Sequence, residues 1–292
     1  MGDVRLGQRW GVGQRVRNDL IYAAAALSLA ASLHLVPRRW LASIGAALGR
    51  TACRVLPSWR RKADERLRIA FHGSPPVTSE QVFEALGADL VDIVRLLDDR
   101  EPVDSTMALG RAAERAIRRA WEHGRGVVFA TAHLGPIDRM AGLVASLGYP
   151  VVTLARESYD PRFTSLYERV RGRLGVRTIY RGRPGADVQL VRALRSGALV
   201  GFPMDLAGRG VATTTCTFLG EARPIPVGPA RIALRTGARV LVGTPGPGEG
   251  GRVVVTVEEV GAEDEADLTE RMVRVLEQRI RDWPAHWVWM HD

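Results

Sequence analysis

The sequence predicts an α/β fold in which a mostly parallel or mixed central sheet is flanked by helices and preceded by hydrophobic and amphipathic N-terminal helices. From residue 126 onward, short apolar runs rich in β-branched residues alternate with segments whose apolar residues recur at helical spacing. Such alternation is typical of parallel strands joined by helices. No internal repeat or linker interrupts it. We therefore expect an N-terminal membrane-anchoring and basic helical segment over residues 1–72 and one α/β domain over residues 73–292.

The N-terminal segment combines an apolar stretch with many arginines. Residues 20–36 carry no charged side chain and are at the lower limit of length for a helix that crosses a bilayer. The cationic residues before this stretch also resemble the start of a secretory signal peptide. Beyond it, apolar residues from Trp40 to Leu56 continue at helical spacing with arginines beside them. This pattern favours a basic amphipathic anchor that lies in the membrane surface or just spans it, with a core helix as the alternative.

The remaining elements follow from apolar periodicity and turn residues. Two helices come first, over residues 80–95, where Thr78 or Ser79 provides the N-cap, and over residues 111–123, which Gly124 ends. Strands are predicted over residues 127–132, 151–155, 177–180, 199–203, 240–243 and 253–259. Helices are predicted over residues 137–147, 163–174, 186–196, 229–236 and 268–282. Residues 245–251 are rich in glycine and proline, which predicts a loop between two strands.

Composition and charge restrict the class of partner. Hydrophobic residues make up 46% and charged residues 25% of the sequence, which is ordinary for a globular protein. The net charge of +9 indicates an anionic partner, whether nucleic acid, anionic lipid headgroups or an acidic carrier protein. Nearly all cationic residues are arginine, which suits phosphate recognition, although codon bias explains most of the imbalance. Cys53 and Cys216 form no paired-cysteine motif, which favours a reducing compartment.

Several common catalytic motifs are absent from the sequence. It contains no Gly-x-Ser-x-Gly nucleophile elbow, and Lys62, the sole lysine, lies outside any phosphate-binding loop motif. The histidines are dispersed and none belongs to a His-Glu-x-x-His pair. We therefore predict no metal site.

His133 stands at the end of the strand predicted over residues 127–132, and Asp138 follows it by five positions. Gly135 and Pro136 open the next helix, because proline is tolerated at a first helical position. A carboxylate in the first turn of that helix can hold the imidazole in one tautomer and raise its basicity. Ligand sites of α/β proteins lie beyond the carboxyl ends of strands, which favours a functional pair. The alternative is a structural histidine, with Asp138 only stabilising the helix N-terminus.

With this His-x4-Asp motif in place, the chain resembles the bacterial lipid A acyltransferase family, the lauroyl and myristoyl transferases of the wider glycerolipid acyltransferase group. The resemblance extends over most of the chain. Similar blocks occur, in the family's order, at residues 60–71, 155–161, 201–205, 217–220, 233–238 and 283–291. The sequence departs from the family in its Pro-Ile-Asp tripeptide at Asp138 and in Leu206 and Ala207, where a second acid or glutamine is common. Several acceptors therefore stay open, among them lipid A precursors, mannosylated phosphoinositides and other glycolipids.

The resemblance implies a glycerolipid-acyltransferase-like fold and transfer of a long acyl chain from an acyl carrier protein or coenzyme A thioester to a hydroxyl of a membrane lipid. His133 would be the general base, and Asp138 would orient its imidazole and stabilise it once charged. Asp205 would be a second catalytic acid that orders the site or contacts acceptor hydroxyls, with a turn residue as the alternative. No cofactor is implied, because the acyl thioester is a co-substrate.

The resemblance also names candidates for binding substrate phosphates: Arg156, Arg171 and Arg173. Their alternative is a solvated basic face. The implied partners are a membrane lipid acceptor, an acyl thioester donor and an anionic membrane surface, with no nucleic acid. The implied location is the cytoplasmic face of the bacterial inner membrane. The closing tryptophans form either an interfacial belt or part of the core: Trp283, Trp287 and Trp289.

Two other functions stay open. One is a non-catalytic basic protein that binds membranes or nucleic acid through its charge, although no nucleic-acid-binding module is recognised in the sequence. The other is a lipid hydrolase, in which His133 and Asp138 would activate water instead of a lipid hydroxyl.

Overall fold

A computed structural model of the protein describes residues 36–98, 101–158, 161–207 and 210–291. The predicted anchor over residues 20–36 lies outside these ranges except for Val36. Within the described ranges, no helix has both the length and the apolar character needed to cross a membrane.

The described chain begins with three helices and continues with alternating strands and helices. The helices are α1 Arg38–Val55, α2 Pro57–Ala70, α3 Ser79–Arg95, α4 Arg111–Glu122, α5 Ile137–Ser146, α6 Pro161–Arg173, α7 Ala186–Arg195, α8 Gly228–Thr236 and α9 Glu265–Asp282. The strands are β1 Met107–Leu109, β2 Val127–Thr131, β3 Val151–Ala155, β4 Val176–Tyr180, β5 Leu199–Pro203, β6 Thr213–Phe218, β7 Glu221–Pro226, β8 Arg239–Pro247 and β9 Val253–Val260. Short 3₁₀ helices lie at Glu249–Gly251 and Pro284–His286.

Seven of the described strands form one mixed sheet in the order β1-β9-β8-β2-β5-β3-β4. Neighbouring strands in it are parallel except β8 and β9, which are antiparallel. Strands β6 and β7 form a separate antiparallel pair. The predicted α/β fold with a mostly parallel or mixed sheet is confirmed. Because β2, β5, β3 and β4 run in the same direction, their carboxyl ends meet at one edge of the sheet.

Most predicted elements agree with the structure within a few residues, and β3 and β5 have the predicted bounds. The sequence does not indicate the short strand β1 or the β6–β7 pair. The predicted loop over residues 245–251 is wrong at its start, because β8 continues to Pro247. Strand β9 pairs with β8 as far as the pair Pro247–Val253. Pairing with β9 therefore keeps residues 245–247 of β8, which are proline and glycine, in an extended strand despite their low β-propensity.

The sheet separates two hydrophobic cores. Side chains along a strand alternate between faces, so Val128 and Ala130 of β2 belong to one core and Val127 and Phe129 to the other. The first core also contains side chains of α2, α3, α7, α8 and α9 and of the last residues of the chain. The second contains side chains of α4, α5 and α6. Helix α2 thus packs with the α/β region, while the boundary at residue 72 stays a prediction.

Helix α1 crosses α3 with almost no space between the two backbones. A Cβ added at Gly49 of α1 would overlap the carbonyl oxygen of Phe83, and one added at Gly45 would overlap that of Gly87. Protein interiors are packed closely enough that a backbone cannot yield to such an overlap without moving the whole helix. Glycine at residues 45 and 49 therefore permits the crossing.

Replacing Gly49 by alanine is expected to lower the free energy of unfolding by about 1–3 kcal/mol, because the new methyl group overpacks the crossing. Chemical denaturation measures the change. Gly172→Ala in α6 is the matched control: its Cβ meets nothing within 4 Å, and the better helix propensity of alanine should stabilise by up to about 1 kcal/mol. Equal effects of the two substitutions would contradict the close crossing.

Candidate active site

The carboxyl ends of β2 and β5 bring His133 and Asp205 together. Each residue follows its strand by two positions, since β2 ends at Thr131 and β5 at Pro203. The two strands are direct parallel neighbours, and Thr131 pairs with Pro203 in the register. Two side chains that are 72 residues apart in sequence therefore start from adjacent points on the sheet edge.

His133 and Asp205 are joined by two hydrogen bonds. Nδ1 of the imidazole lies 2.9 Å from Oδ1 of Asp205, and the backbone N–H of His133 donates to Oδ2, also at 2.9 Å. The Asp205 side chain has no exposed surface, whereas the His133 side chain is 40% exposed. An ionised carboxylate only accepts hydrogen bonds, so we assign the proton to Nδ1 and the lone pair to Nε2. None of the described residues hydrogen-bonds to Nε2.

Opposing influences set the protonation of this pair. Burial is the largest influence on His133 and lowers its pKa, but the charge and hydrogen bond of Asp205, together with the charge of Asp138, outweigh it and raise the pKa above its ordinary value. Burial is also the largest influence on Asp205 and raises its pKa. The imidazole, the Trp287 indole and the His133 amide outweigh burial, so the pKa of Asp205 is lowered overall. An ionised Asp205 thus makes His133 a stronger base.

Asp138 has a different partner from the one predicted. Its Oδ1 accepts a hydrogen bond from Nε of Arg171 at 2.7 Å, whereas the His133 ring is held by Asp205. The expectation that Asp138 orients the imidazole is therefore wrong. The cause is the strand order, which seats the β5 carboxylate against Nδ1, while α6 brings a guanidinium to the first turn of α5. The charge of Asp138 still acts on His133 from a longer distance and raises the pKa of the imidazole.

The residue after Asp138, Arg139, anchors the first turn of α5. Its side chain is fully buried, and Nε donates to both carboxylate oxygens of Asp92. Nη1 donates to the carbonyl oxygens of Pro102 and Val103, each at 3.1 Å. A buried guanidinium needs such partners because an unpaired buried charge is costly. The sequence does not single out Arg139, yet its contacts fix the turn that carries Asp138.

The structure brings Arg171 to the site and turns Arg173 toward α3. The guanidinium of Arg171 pairs with Asp138 and lies over the ring of Tyr167, with Cζ 5.3 Å from the ring centre. Nη1 of Arg173 donates to the backbone carbonyl of Leu96, which follows α3. The role of Arg171 and Arg173 in substrate binding stays a prediction, and the geometry favours Arg171.

Arg156 and Arg181 add positive charge to the same sheet edge. Arg156 directly follows β3 and Arg181 directly follows β4, and the Arg181 amide donates to the Ala155 carbonyl at 2.9 Å. Burial and the neighbouring charge of Arg156 lower the pKa of the Arg181 guanidinium. Like charges this close create a positive potential that suits an anionic ligand. The sequence does not single out Arg181, because its proximity to Arg156 depends on the register of two strands.

The closing tryptophans lie beneath the site. Trp287 and Trp289 have no exposed surface, so they belong to the core and an interfacial belt is excluded for them. The indole Nε1 of Trp287 donates to Oδ2 of Asp205 at 2.8 Å. Gly135, in the turn after His133, has a φ of +62°, and a Cβ there would meet the Trp283 ring. Both facts require glycine at this turn.

Neither cysteine is placed to act as a nucleophile. Cys53 and Cys216 are free and buried, and burial is the main cause of a raised pKa in both thiols. Such thiols react poorly because the thiolate is the nucleophilic form. In the parts of the chain that the structure describes, no three histidine, cysteine or acidic side chains are grouped so as to hold a metal ion.

Comparison with known proteins identifies the family. The family described as bacterial lipid A biosynthesis acyltransferase matches residues 15–292. A comparison with curated proteins gave no match. The matched range includes the whole described sheet, both members of the His133–Asp205 pair and the closing tryptophans. The chain therefore belongs to the bacterial lipid A biosynthesis acyltransferase family.

Proposed function

We propose that the protein transfers a long acyl chain from an acyl carrier protein or coenzyme A thioester to a hydroxyl of a membrane glycolipid, either a lipid A precursor or a related lipid. The family supports acyl transfer as the class of reaction. His133 is the general base, and Asp205 orients its imidazole and raises its pKa. One observation carries this assignment: a partly exposed imidazole is held at Nδ1 by a buried carboxylate, and no described residue occupies its Nε2.

In the proposed mechanism, the acceptor hydroxyl first donates a hydrogen bond to Nε2 of His133. As the hydroxyl oxygen attacks the thioester carbonyl carbon, its proton passes to Nε2, and Asp205 stabilises the imidazolium that forms. The tetrahedral intermediate collapses when the carbon–sulfur bond breaks. The leaving sulfur takes the proton from Nε2 and departs as the thiol, which returns the histidine to its starting state.

The chemistry of the two cysteines supports direct transfer. An acyl-enzyme intermediate would need a protein nucleophile beside the base. Cys53 and Cys216 are buried with raised pKa values, and His133 is held by a carboxylate instead of a thiol. A thioester also has a good leaving group, so a lipid hydroxyl activated by His133 is sufficient.

The arginines at the sheet edge support substrates that carry phosphate. Asp138 holds Arg171 through Nε, and no described residue hydrogen-bonds to Nη1 or Nη2 of the guanidinium, which are therefore suited to bind phosphate oxygens. Arg156 adds charge beside Arg181. Both thioester donors contain a phosphopantetheine phosphate, and many glycolipid acceptors are phosphorylated. We assign phosphate recognition to Arg156 and Arg171.

The exposed face of α1 and the start of α2 supports attachment to an anionic membrane. Large apolar side chains recur along this face, with Trp40 57%, Leu48 64% and Trp59 49% exposed. Arginines lie among them, including Arg54, whose side chain is 72% exposed. Amphipathic basic helices bind membrane surfaces, and each arginine near anionic lipid contributes about 1 kcal/mol. We infer a location at the cytoplasmic face of the bacterial inner membrane, where acyl thioesters are available.

Purified protein, incubated with acyl carrier and coenzyme A thioesters plus membrane lipid, is expected to yield a lipid heavier by one acyl chain, as measured by mass spectrometry. Free fatty acid would instead indicate a hydrolase, and no product would favour a non-catalytic protein. His133→Ala should lower transfer by about a hundred- to ten-thousandfold. The control is His123→Ala, an exposed histidine before the start of β2. Normal transfer by His133→Ala would refute the proposed base.

The pH profile of kcat/KM should have an acid limb with a midpoint above 6.5, because the pKa of His133 is raised and only the unprotonated imidazole accepts a proton. Asp205→Asn removes the negative charge that offsets the effect of burial on the pKa of His133, so that pKa and the midpoint should move to lower pH. The rate should also fall, by up to about 10⁴-fold, the cost of the same change in a Ser-His-Asp triad. An unchanged midpoint in Asp205→Asn would show that another group titrates.

Replacing Arg171 by glutamine is expected to raise the KM of the phosphate-bearing substrate about tenfold or more, because a hydrogen bond to a charged group contributes about 1.5–3 kcal/mol. Asp138→Asn should raise the same KM. The double variant should be little worse than either single variant, since both residues act through one ion pair. Arg169→Gln, an exposed arginine on the same helix, is the control. Additive effects would contradict a shared role.

A further inference from the structure

The C-terminal segment, residues 283–291, is joined to the turn that carries His133. Leu134 forms an isolated antiparallel bridge with Trp287, and the Gly135 amide donates to the His286 carbonyl at 3.0 Å. Nδ1 of His286 in turn lies 2.8 Å from a carboxylate oxygen of Asp89 in α3. The backbone on both sides of Trp287 is therefore fixed relative to the catalytic turn.

The indole of Trp287 completes the hydrogen bonding of Asp205. Oδ1 faces the His133 ring, and Oδ2 accepts from the His133 amide and from Nε1 of Trp287. Without the indole, one backbone amide alone would hold Oδ2, and the carboxylate would be freer to rotate about its Cβ–Cγ bond. Rotation of this group carries Oδ1 away from Nδ1, which would release the imidazole from its orientation.

The ring of Trp287 is itself locked in place. It meets Phe218 edge to face with ring centres 5.8 Å apart, and it meets Trp289 in the same manner at 4.8 Å. Such aromatic contacts have preferred geometries that fix ring orientation. An indole N–H is only a donor, so its hydrogen bond to Oδ2 favours the ionised form of Asp205 and lowers the pKa of the carboxyl.

We propose that Trp287 is a positioning residue, which holds the Asp205 carboxylate in the orientation that keeps His133 ready to act as the base. This inference rests on the proposed function, because it assumes that His133 and Asp205 perform the chemistry. In the proposed mechanism, Trp287 does not touch the reacting atoms. It acts through Asp205, and its own contribution is one hydrogen bond delivered from a rigid ring.

Trp289 supplies a matched control. It is also a fully buried tryptophan of the same segment, and its Nε1 also makes a hydrogen bond, to the Pro284 carbonyl at 2.7 Å. It has an aromatic neighbour besides Trp287, namely Phe71. Its indole makes no hydrogen bond to Asp205 or His133. Trp289→Phe keeps an aromatic ring against Trp287. It therefore reproduces the loss of a buried indole and its hydrogen bond without touching the catalytic pair.

Trp287→Phe is expected to lower kcat about ten- to hundredfold, the cost of losing a hydrogen bond to a charged group, with the KM of the thioester unchanged. The midpoint of the acid limb should move to lower pH, because a carboxylate that turns away from Nδ1 no longer offsets the effect of burial on the pKa of His133. Asp205→Asn should move it in the same direction and further. Trp289→Phe should keep the wild-type midpoint and kcat. A Trp287→Phe variant that behaves like Trp289→Phe would overturn the inference.

A second substitution keeps the test decisive if Trp287→Phe does not fold. Benzothienylalanine at position 287 has the shape of tryptophan with sulfur in place of the N–H, so it removes the donor and preserves the packing. It should show the same fall in kcat and the same shift of midpoint, and wild-type values would reject the role of Trp287. If His133→Ala retains normal transfer, the proposed function itself has failed, whatever Trp287 does.

Discussion

A buried carboxylate that must stay ionised is the constraint on which the proposed active site depends. The Asp205 side chain has no exposed surface, and a buried charge without partners costs several kcal/mol. Its partners come from two distant parts of the chain: the amide and imidazole of His133, and the indole of Trp287. The site is therefore complete only when β2, β5 and the C-terminal segment have all docked. Its stability and its chemistry depend on the same contacts.

The elements that carry the site were predictable because their signals are local. β3 and β5 are short apolar runs followed or preceded by glycine and proline, and their bounds agree with the sequence pattern. The β6–β7 pair was not predicted, because its local sequence signal is weak. β6 reads Thr-Thr-Thr-Cys-Thr-Phe, and four of its residues are exposed or half-buried, so apolar periodicity has little to detect. Pairing with β7, which contains two prolines, holds it in place instead.

The positions of the candidate site residues were predictable from the sequence, but the long-range contacts between them were not. The position of His133 after β2 follows from the local pattern, and Asp205 was singled out by family resemblance. Their pairing was not foreseen, because it requires β5 to lie beside β2, whereas the strand next in sequence after β2 is β3. Asp138 is near His133 in sequence and was the natural partner to expect. The order of the strands, and not proximity in sequence, determines the partner of His133. The contact of Trp287 with Asp205 is also long-range, because the two residues are 82 positions apart in sequence.

In the proposed mechanism, Asp138 and Arg171 act on His133 through charge instead of contact. The charge of Asp138 raises the pKa of His133, while that of Arg171 lowers it, so the ion pair partly cancels its own influence on the base. An anion bound to the guanidinium of Arg171 adds negative charge to this balance. By Coulomb's law, the imidazole then becomes more basic. If Arg171 recognises a substrate phosphate, as proposed, the pKa of His133 rises when the substrate is bound. The spacing of five residues between His133 and Asp138 then has a physical reason: Asp138 holds the phosphate-binding Arg171 close to the base, and no hydrogen bond between Asp138 and His133 is needed.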